Sequence, residues 1–256
     1  MTLSPSASIS RQSELVLYQF AFSHFNEKAR WGLDWKGLPS KRRNLLPGFH
    51  TRRTRSLSGA TETPILEIDG EAVAGSTSIL RRLETFCPTP ELFPDNDPER
   101  DEVDDWIAWL DDEVGPAIRL GLFDEILKDP AYAVQIFAVG QPAWKRMGYA
   151  TIFPKIIQVL RNRMSITTES AAEANETTAR ALDRIASAVE STGYLVGDRF
   201  TAADLTAASL LFPLSFPRQL PFSTPVRASA AAEHWKARWA GRAGVRWMED
   251  IYRTHR

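Results

Sequence analysis

Thr63 to Leu80 read TPILEIDGEAVAGSTSIL. Ile65-Leu66-Glu67-Ile68 is a short apolar strand bounded by Pro64 and by Asp69-Gly70. Asp-Gly between such runs is a strong hairpin signal, so Glu71 to Ala74 is the return strand. Ser76 to Phe86 then reads as a helix. Ile79, Leu80 and Leu83 share one face, and Ser76 is an N-cap candidate. Upstream, Leu15-Val16-Leu17-Tyr18 suits a buried strand. Phe25 to Lys36 reads helical, with Phe25, Ala29, Trp31, Leu33 and Trp35 recurring among charged residues. Gly37-Leu38-Pro39 stops that helix, and residues 41–46 read as a second strand leading to Pro47-Gly48. The expected order is β-α-β-(α)-β-β-α.

Residues 87–98, CPTPELFPDNDP, hold four prolines and read as a crossing between two domains. Everything beyond reads helical. Glu99 to Lys128 is one long amphipathic helix kinked at Gly115-Pro116. Further helices are expected over 131–140, 142–164, 169–192, 201–212 and 229–254. Pro213, Pro217, Pro221 and Pro225 make 213–228 irregular. Thr201 and Asp204 form a capping-box variant, in which the Thr201 hydroxyl accepts from the Asp204 N–H and the carboxylate reaches back. Phe200 and Leu205 are placed as the hydrophobic staple.

The 256 residues suit one large domain or two ordinary ones. Hydrophobic residues are 43% and charged residues 25%, the balance of a globular protein with a core of its own. The formal charge of −1 argues against a nucleic-acid partner. The single cysteine, Cys87, excludes an internal disulfide, a zinc cluster and a CxxC redox pair. It is expected to be a small buried or half-buried apolar group. The first 14 residues read as a flexible Ser-rich tail and not a signal peptide. No run approaches the ~18 apolar residues of a membrane span. The expected location is a reducing cytoplasm with no membrane partner.

Taken together, LVLYQFAFSHFNEKARW (15–31), TPILEIDG with AGSTSIL (63–80) and GDRFTAAD (197–204) resemble the cytosolic glutathione transferases over roughly residues 14–212. The turn is similar to serine-type members such as the tau/omega-like classes. The resemblance implies an α/β thioredoxin-like N-terminal domain plus an all-α helical C-terminal domain. The expected limits are 14–86 for the glutathione-binding domain, 87–98 for the linker and 99–256 for the helical domain. It also implies a detoxification-type transferase that uses glutathione as cosubstrate and needs no metal.

Site residues follow from the same resemblance. Ser23, between strand and helix, stands at the catalytic turn, where a hydroxyl donor and a helix dipole favour a thiolate over a thiol. It can also simply cap the helix, and the two roles coexist. With serine here, mixed-disulfide chemistry at residue 23 is excluded. Thr63 stands before Pro64, the place of the family's cis-proline, where its backbone would pair with glutathione like an added strand. Ser76 takes the γ-glutamyl carboxylate, or is a plain cap. Phe25 walls the thiol or packs in the core. His50, with Arg52 and Arg53 nearby, stands near the cation for the glycine carboxylate. Trp106, Trp109, Arg119 and Phe123 are candidates for the pocket of an apolar, electrophilic second substrate, although helical spacing makes most of them ordinary core.

Three departures weaken the site. Gly75 stands where many relatives carry an acid for the γ-glutamyl amine, Glu62 where many carry a base, and His24 where proline is common. A lost charge-assisted contact costs about 1.5–3 kcal/mol. The alternatives are therefore a non-catalytic binding or regulatory protein of the same fold, or a different glutathione-linked chemistry such as peroxide reduction. Charges are segregated too. Residues 36–61 carry Lys36, Lys41, Arg42, Arg43, Arg52, Arg53 and Arg55 with no acid, whereas 95–113 carry ten acids against Arg100 alone. Either these are two solvated faces, or they meet in a homodimer in which Asp104 or Asp105 reaches the partner's site. Segment 229–254, with Trp235, Trp239 and Trp247 among basic residues, is expected to pack over the helical domain.

Overall fold

The computed structural model describes residues 13–222 and 229–256. The N-terminal tail to residue 12 and part of the Pro-rich segment, 223–228, lie outside the described residues. The first half is built from β1 (Leu15–Gln19), α1 (His24–Trp35), β2 (Lys41–Asn44), α2 (Thr51–Ser58), β3 (Ile65–Ile68), β4 (Glu71–Ala74) and α3 (Ser76–Phe86). The sheet order is β2-β1-β3-β4. β2 runs parallel to β1 with Val16 opposite Lys41, and β3 runs antiparallel with Leu17 opposite Leu66. Asp69 (φ 50°) and Gly70 (φ 89°) close the β3–β4 hairpin, the double positive φ that a two-residue turn requires.

Strand alternation sorts the core. Leu15, Leu17 and Leu66 face Ala29 and Leu33 of α1 and Ile79 and Leu83 of α3. Val16, Tyr18 and Ile65 face the other way, against Leu57 of α2. This is the thioredoxin-like arrangement, followed by a helical domain of α4 (Asp97–Trp109), α5 (Gly115–Ile126), α6 (Pro130–Phe137), α7 (Ala143–Arg163), α8 (Thr168–Ala188), α9 (Ala202–Leu211), α10 (Ala230–Trp239) and α11 (Ala243–His255).

Every residue of α9 is buried. It packs on α1 of the first domain and on α4, α5 and α11 of its own. Its capping box is present with both expected arms, the Thr201 side chain accepting from the backbone of Asp204 and the Asp204 carboxylate from Thr201 N–H (2.9 Å). The Thr201 hydroxyl also accepts from Ala203 N–H (3.3 Å), and the carboxylate from Leu195 N–H (2.8 Å).

Two helical expectations need correction. The long helix does not simply kink at Gly115-Pro116: a π-helical turn, Leu110–Val114, separates α4 from α5 immediately before that pair. Residues 229–254 form two helices and not one, because Gly241 takes φ 78° between α10 and α11. Trp235 and Trp239 are buried, and α11 closes over α8 and α9. Cys87 is buried and free.

Candidate functional site

Ser23 occupies the N-cap position of α1, with φ −80° and ψ 131°, and its side chain makes no capping hydrogen bond. Its N–H donates to Phe20 O (3.1 Å) and its carbonyl accepts from Glu27 N–H (2.9 Å). The hydroxyl is therefore left free at the positive end of a twelve-residue helix. Ser23 thus holds the cap position of α1 without a capping hydrogen bond from its hydroxyl.

The turn is held from inside by buried polar residues of α1. Asn26 accepts from Phe20 N–H (3.4 Å) and donates to the Thr63 hydroxyl (3.2 Å), linking the Ser23 turn to the Thr63-Pro64 strand. Arg30, fully buried, donates to Gln19 (2.8 Å) and to the carbonyls of Phe20 and Ser23. Buried Glu27 pairs with Arg30 (2.6 Å) and Arg256 (2.8 Å), so the paired charges compensate one another. Arg256 also reaches Asp34 (2.8 Å), which ties the end of α11 to α1.

The Thr63-Pro64 bond is cis. Neither backbone group of Thr63 is hydrogen-bonded to another residue among the described residues. Ser76 is buried, but it is the first residue of α3; the cap position belongs to Gly75. Gly75 has φ 92° and ψ 137°, a conformation that favours glycine and strains any other residue. A carboxylate stands at Thr77, the residue after Ser76. Asp111, from the π turn, accepts from the neighbouring Thr77 hydroxyl (2.5 Å) and from Lys28 (2.9 Å). Lys28 is fully buried, and burial, opposed by Asp111, lowers its pKa to about 8.

His24 is buried with Nε2 3.2 Å from Gly115 O, and burial with the nearby Arg119 guanidinium lowers its pKa to about 3. Phe25 rests on Gly115 so closely that a Cβ there would lie 2.7 Å from its ring. The Arg119 guanidinium stands 5.9 Å from the Phe25 centroid; it is half-buried, its Nε has no hydrogen-bond partner, and burial lowers its pKa. The structure thus brings Arg119 to the Ser23 turn. Phe123 instead lies in a buried cluster with Phe137, which in turn packs on Phe22 (4.6 Å). Trp106 and Trp109 meet edge to face and lie under Arg184 of α8, 4.6 and 4.0 Å from its guanidinium. His50 starts α2, its ring edge-on to Phe20 at 4.8 Å, and burial lowers its pKa, so at neutral pH it is an uncharged imidazole. Arg53 points back to donate to the Tyr18 hydroxyl (2.7 Å).

Among the described residues no cluster of His, Cys, Asp and Glu could hold a metal ion, and no helix is long and apolar enough to cross a membrane.

No curated protein matches the chain in sequence. Solved structures do match it in fold. The beta-etherase LigF from Sphingobium sp. strain SYK-6 superposes with a TM-score of 0.60 at 20% identity, covering 92% of this chain and 98% of the other. A glutathione S-transferase from Pseudomonas fluorescens gives 0.62 at 17% identity, covering 94% and 95%. The theta-class glutathione S-transferase of the citrus canker pathogen Xanthomonas axonopodis pv. citri, with glutathione bound, gives 0.56 at 19%, covering 91% and 96%. Two family models match in order: the glutathione S-transferase N-terminal domain over residues 17–91 and the C-terminal domain over 149–241. With the family's N-terminal and C-terminal domain models matched in order over residues 17–91 and 149–241, this protein belongs to the glutathione S-transferase family.

Proposed function

We propose that the chain is a glutathione transferase-like enzyme of the serine type, in which Ser23 stabilises the glutathione thiolate for attack on an electrophilic, apolar second substrate. The observation that carries this is the Ser23 hydroxyl, without a capping bond at the N-terminus of α1, in a turn that Asn26 links to Thr63 of the cis Thr63-Pro64 pair. A hydroxyl donor and the unpaired first-turn N–H groups favour the anionic sulfur. The thiol proton leaves to solvent. His24 is not the base, because its Nε2 lies at Gly115 O and its pKa is about 3. Arg119 adds positive potential beside Phe25.

The remaining subsites belong to the same proposal. The free backbone of Thr63 pairs with the cysteinyl unit, Ser76 at the start of α3 takes the γ-glutamyl carboxylate, and His50 donates to the glycine end as a neutral ring. Asp111 supplies the negative charge that residue 75 cannot. The tau/omega-like character of the turn, a homodimeric state and a cytoplasmic location are part of the reading as well. Conjugation, dehalogenation and thiol-assisted isomerisation all begin from this thiolate.

The test is glutathione conjugation of a generic aromatic electrophile by wild type and Ser23→Ala. Loss of the donor should lower kcat/KM by about 10²-fold, with glutathione binding retained. Unchanged turnover would remove Ser23 from the mechanism. Absence of glutathione binding at millimolar concentration would favour the non-catalytic reading that Gly75 and Glu62 keep open.

A further inference from the structure

Arg256 follows α11, 229 positions from Glu27 in the chain, and its side chain is buried against α1. Its Nε donates to Glu27 Oε1 (2.8 Å), and its Nη1 lies 2.8 Å from Asp34 Oδ2. The guanidinium stands 5.6 Å over the Trp31 ring, and the Trp31 indole donates to His255 O (3.2 Å). Glu27, Trp31 and Asp34 share one stripe of α1, so that stripe receives the end of α11.

The two carboxylates in the stripe differ in what they have without Arg256. Asp34 is partly exposed and also pairs with Arg42 (2.6 Å). Glu27 is fully buried, and its oxygens are divided between two guanidiniums: Arg256 on Oε1, and the Arg30 Nε on Oε2 (2.6 Å). A buried carboxylate oxygen stripped of its donor keeps a desolvation cost that only another charge offsets. Tyr252, whose buried hydroxyl has no partner, also faces Glu27, but it is neutral and brings no compensating charge.

Arg30 is the remaining cation, and its other nitrogens are committed to the Ser23 turn. Nη1 donates to Gln19 Oε1 (2.8 Å) and Phe20 O (3.4 Å), and Nη2 donates to Ser23 O (3.5 Å). A guanidinium reaches both oxygens of one carboxylate side-on through Nε and Nη2. Arg30 can therefore satisfy Glu27 alone only by withdrawing Nη2 from Ser23 O. By occupying Oε1, Arg256 leaves Arg30 on the turn.

We propose that Arg256 is a positioning residue for the Ser23 centre, acting through Glu27 and Arg30 on the carbonyls that shape the turn. This gives α11 a role at the site as well as in packing. The effect on the thiolate rests on the Ser23 reading; the hold on the turn does not.

The test compares full-length wild type, Arg256→Gln, Arg256→Lys, Asp34→Asn and Ser23→Ala. Two quantities are read: backbone amide hydrogen exchange, and the pKa of bound glutathione from the absorbance of its thiolate. The amides of Ser23 and Glu27 bond to Phe20 O and Ser23 O. In Arg256→Gln they should exchange about tenfold faster, with Leu66 of β3 and Leu182 of α8 at their wild-type rates. The bound thiol pKa should rise by about 1, a tenfold loss of thiolate at neutral pH. Arg256→Lys keeps the charge without the fork, so the turn should exchange about threefold faster than wild type, and it carries the test if the glutamine variant does not fold. Asp34→Asn loosens the tie between the helices but spares Glu27, and both quantities should stay at wild type. Wild-type exchange at Ser23 and Glu27 in the Arg256 variants, or equal effects of Asp34→Asn and Arg256→Gln, overturns the relay and leaves Arg256 a fastener of α11. A faster turn with an unchanged thiol pKa overturns the positioning role where Ser23→Ala raises that pKa. Where Ser23→Ala leaves it unchanged, the Ser23 reading itself fails, and exchange alone decides whether Arg256 holds the turn.

Discussion

At the scale of single residues, His24 is a group whose chemistry departs far from its ordinary value. Burial and Arg119 hold its pKa at about 3 in the folded chain, against 6.5 when unfolded. Between those values the unfolded state binds a proton that the folded state refuses. The His24 contribution is therefore intact above pH 6.5 and is lost as pH falls toward 3. Asp204 acts in the opposite sense. Burial raises it from 3.8 to about 6, so its own contribution improves as pH falls through that window. The difference between wild type and a His24 variant isolates the first term. Proline is compatible with the first helical position, which His24 occupies. On going from pH 7 to about 4.5, His24→Pro should lose about 2–3 kcal/mol less stability than wild type, read from urea midpoints at each pH. Equal losses would mean that the imidazole is not held neutral. The cis Thr63-Pro64 bond is legible from a short local motif. The burial of Asn26, Lys28 and Arg30 is not. A helix covered on one face by the sheet and on the other by α9 buries positions that periodicity assigns to solvent.

At the scale of elements, the π turn before α5 is what brings the helical domain to the Ser23 turn. It points Asp111 at Lys28 and Thr77, and it leaves Gly115 under Phe25 and against His24. Glycine is needed there for space: a Cβ would lie 2.7 Å from Phe25 Cζ and 3.3 Å from Leu110 O. Gly115→Ala gains helix propensity but must push the start of α1 away, a strain of about 1–3 kcal/mol. The expected outcome is a lower melting temperature and a fall in kcat/KM for glutathione conjugation. A more stable, fully active variant would show that α1 does not depend on this contact. The Gly115-Pro116 pair announced an irregularity in the sequence, but not its π character. Gly241 carried a comparable signal. A glycine after a basic last turn is a helix stop, and it divides α10 from α11 where aromatic periodicity alone suggested continuity. The Asp69-Gly70 hairpin needed no tertiary information and matches its expectation.

At the scale of the whole molecule, the near-zero net charge resolves into pairs and remainders. Lys36 is no part of a basic face: it is buried, paired with Glu84 (2.6 Å), and donates to Pro88 O and Pro90 O, fastening the segment that joins the domains. Arg42 pairs with Asp34, and Asp104 with Arg81 of its own chain. Asp104 is thus engaged before any partner arrives, which leaves Asp105 as the stronger of the two acids proposed to cross. Arg43, Arg52 and Arg55 on one side, and Asp101, Glu102, Asp105 and Asp112 on the other, form no ion pair among the described residues. Complementary surfaces of this kind set the strength and salt dependence of association more than its area does. The proposed homodimer should therefore appear by light scattering at micromolar concentration as twice the 28.7 kDa chain mass. Its dissociation constant should rise as salt is taken from about 0.05 M to about 0.5 M, because the screening length falls from roughly 14 to 4 Å over that range. Glu102→Lys combined with Asp105→Lys places like charges against the basic segment and should give monomer at low salt. The same exposed substitutions leave the Lys28–Asp111 pair and the core of α4 intact, so the melting temperature of the monomer separates lost association from lost folding. A single 28.7 kDa species for wild type at both salt concentrations would mean that the two charge runs are solvated faces and nothing more.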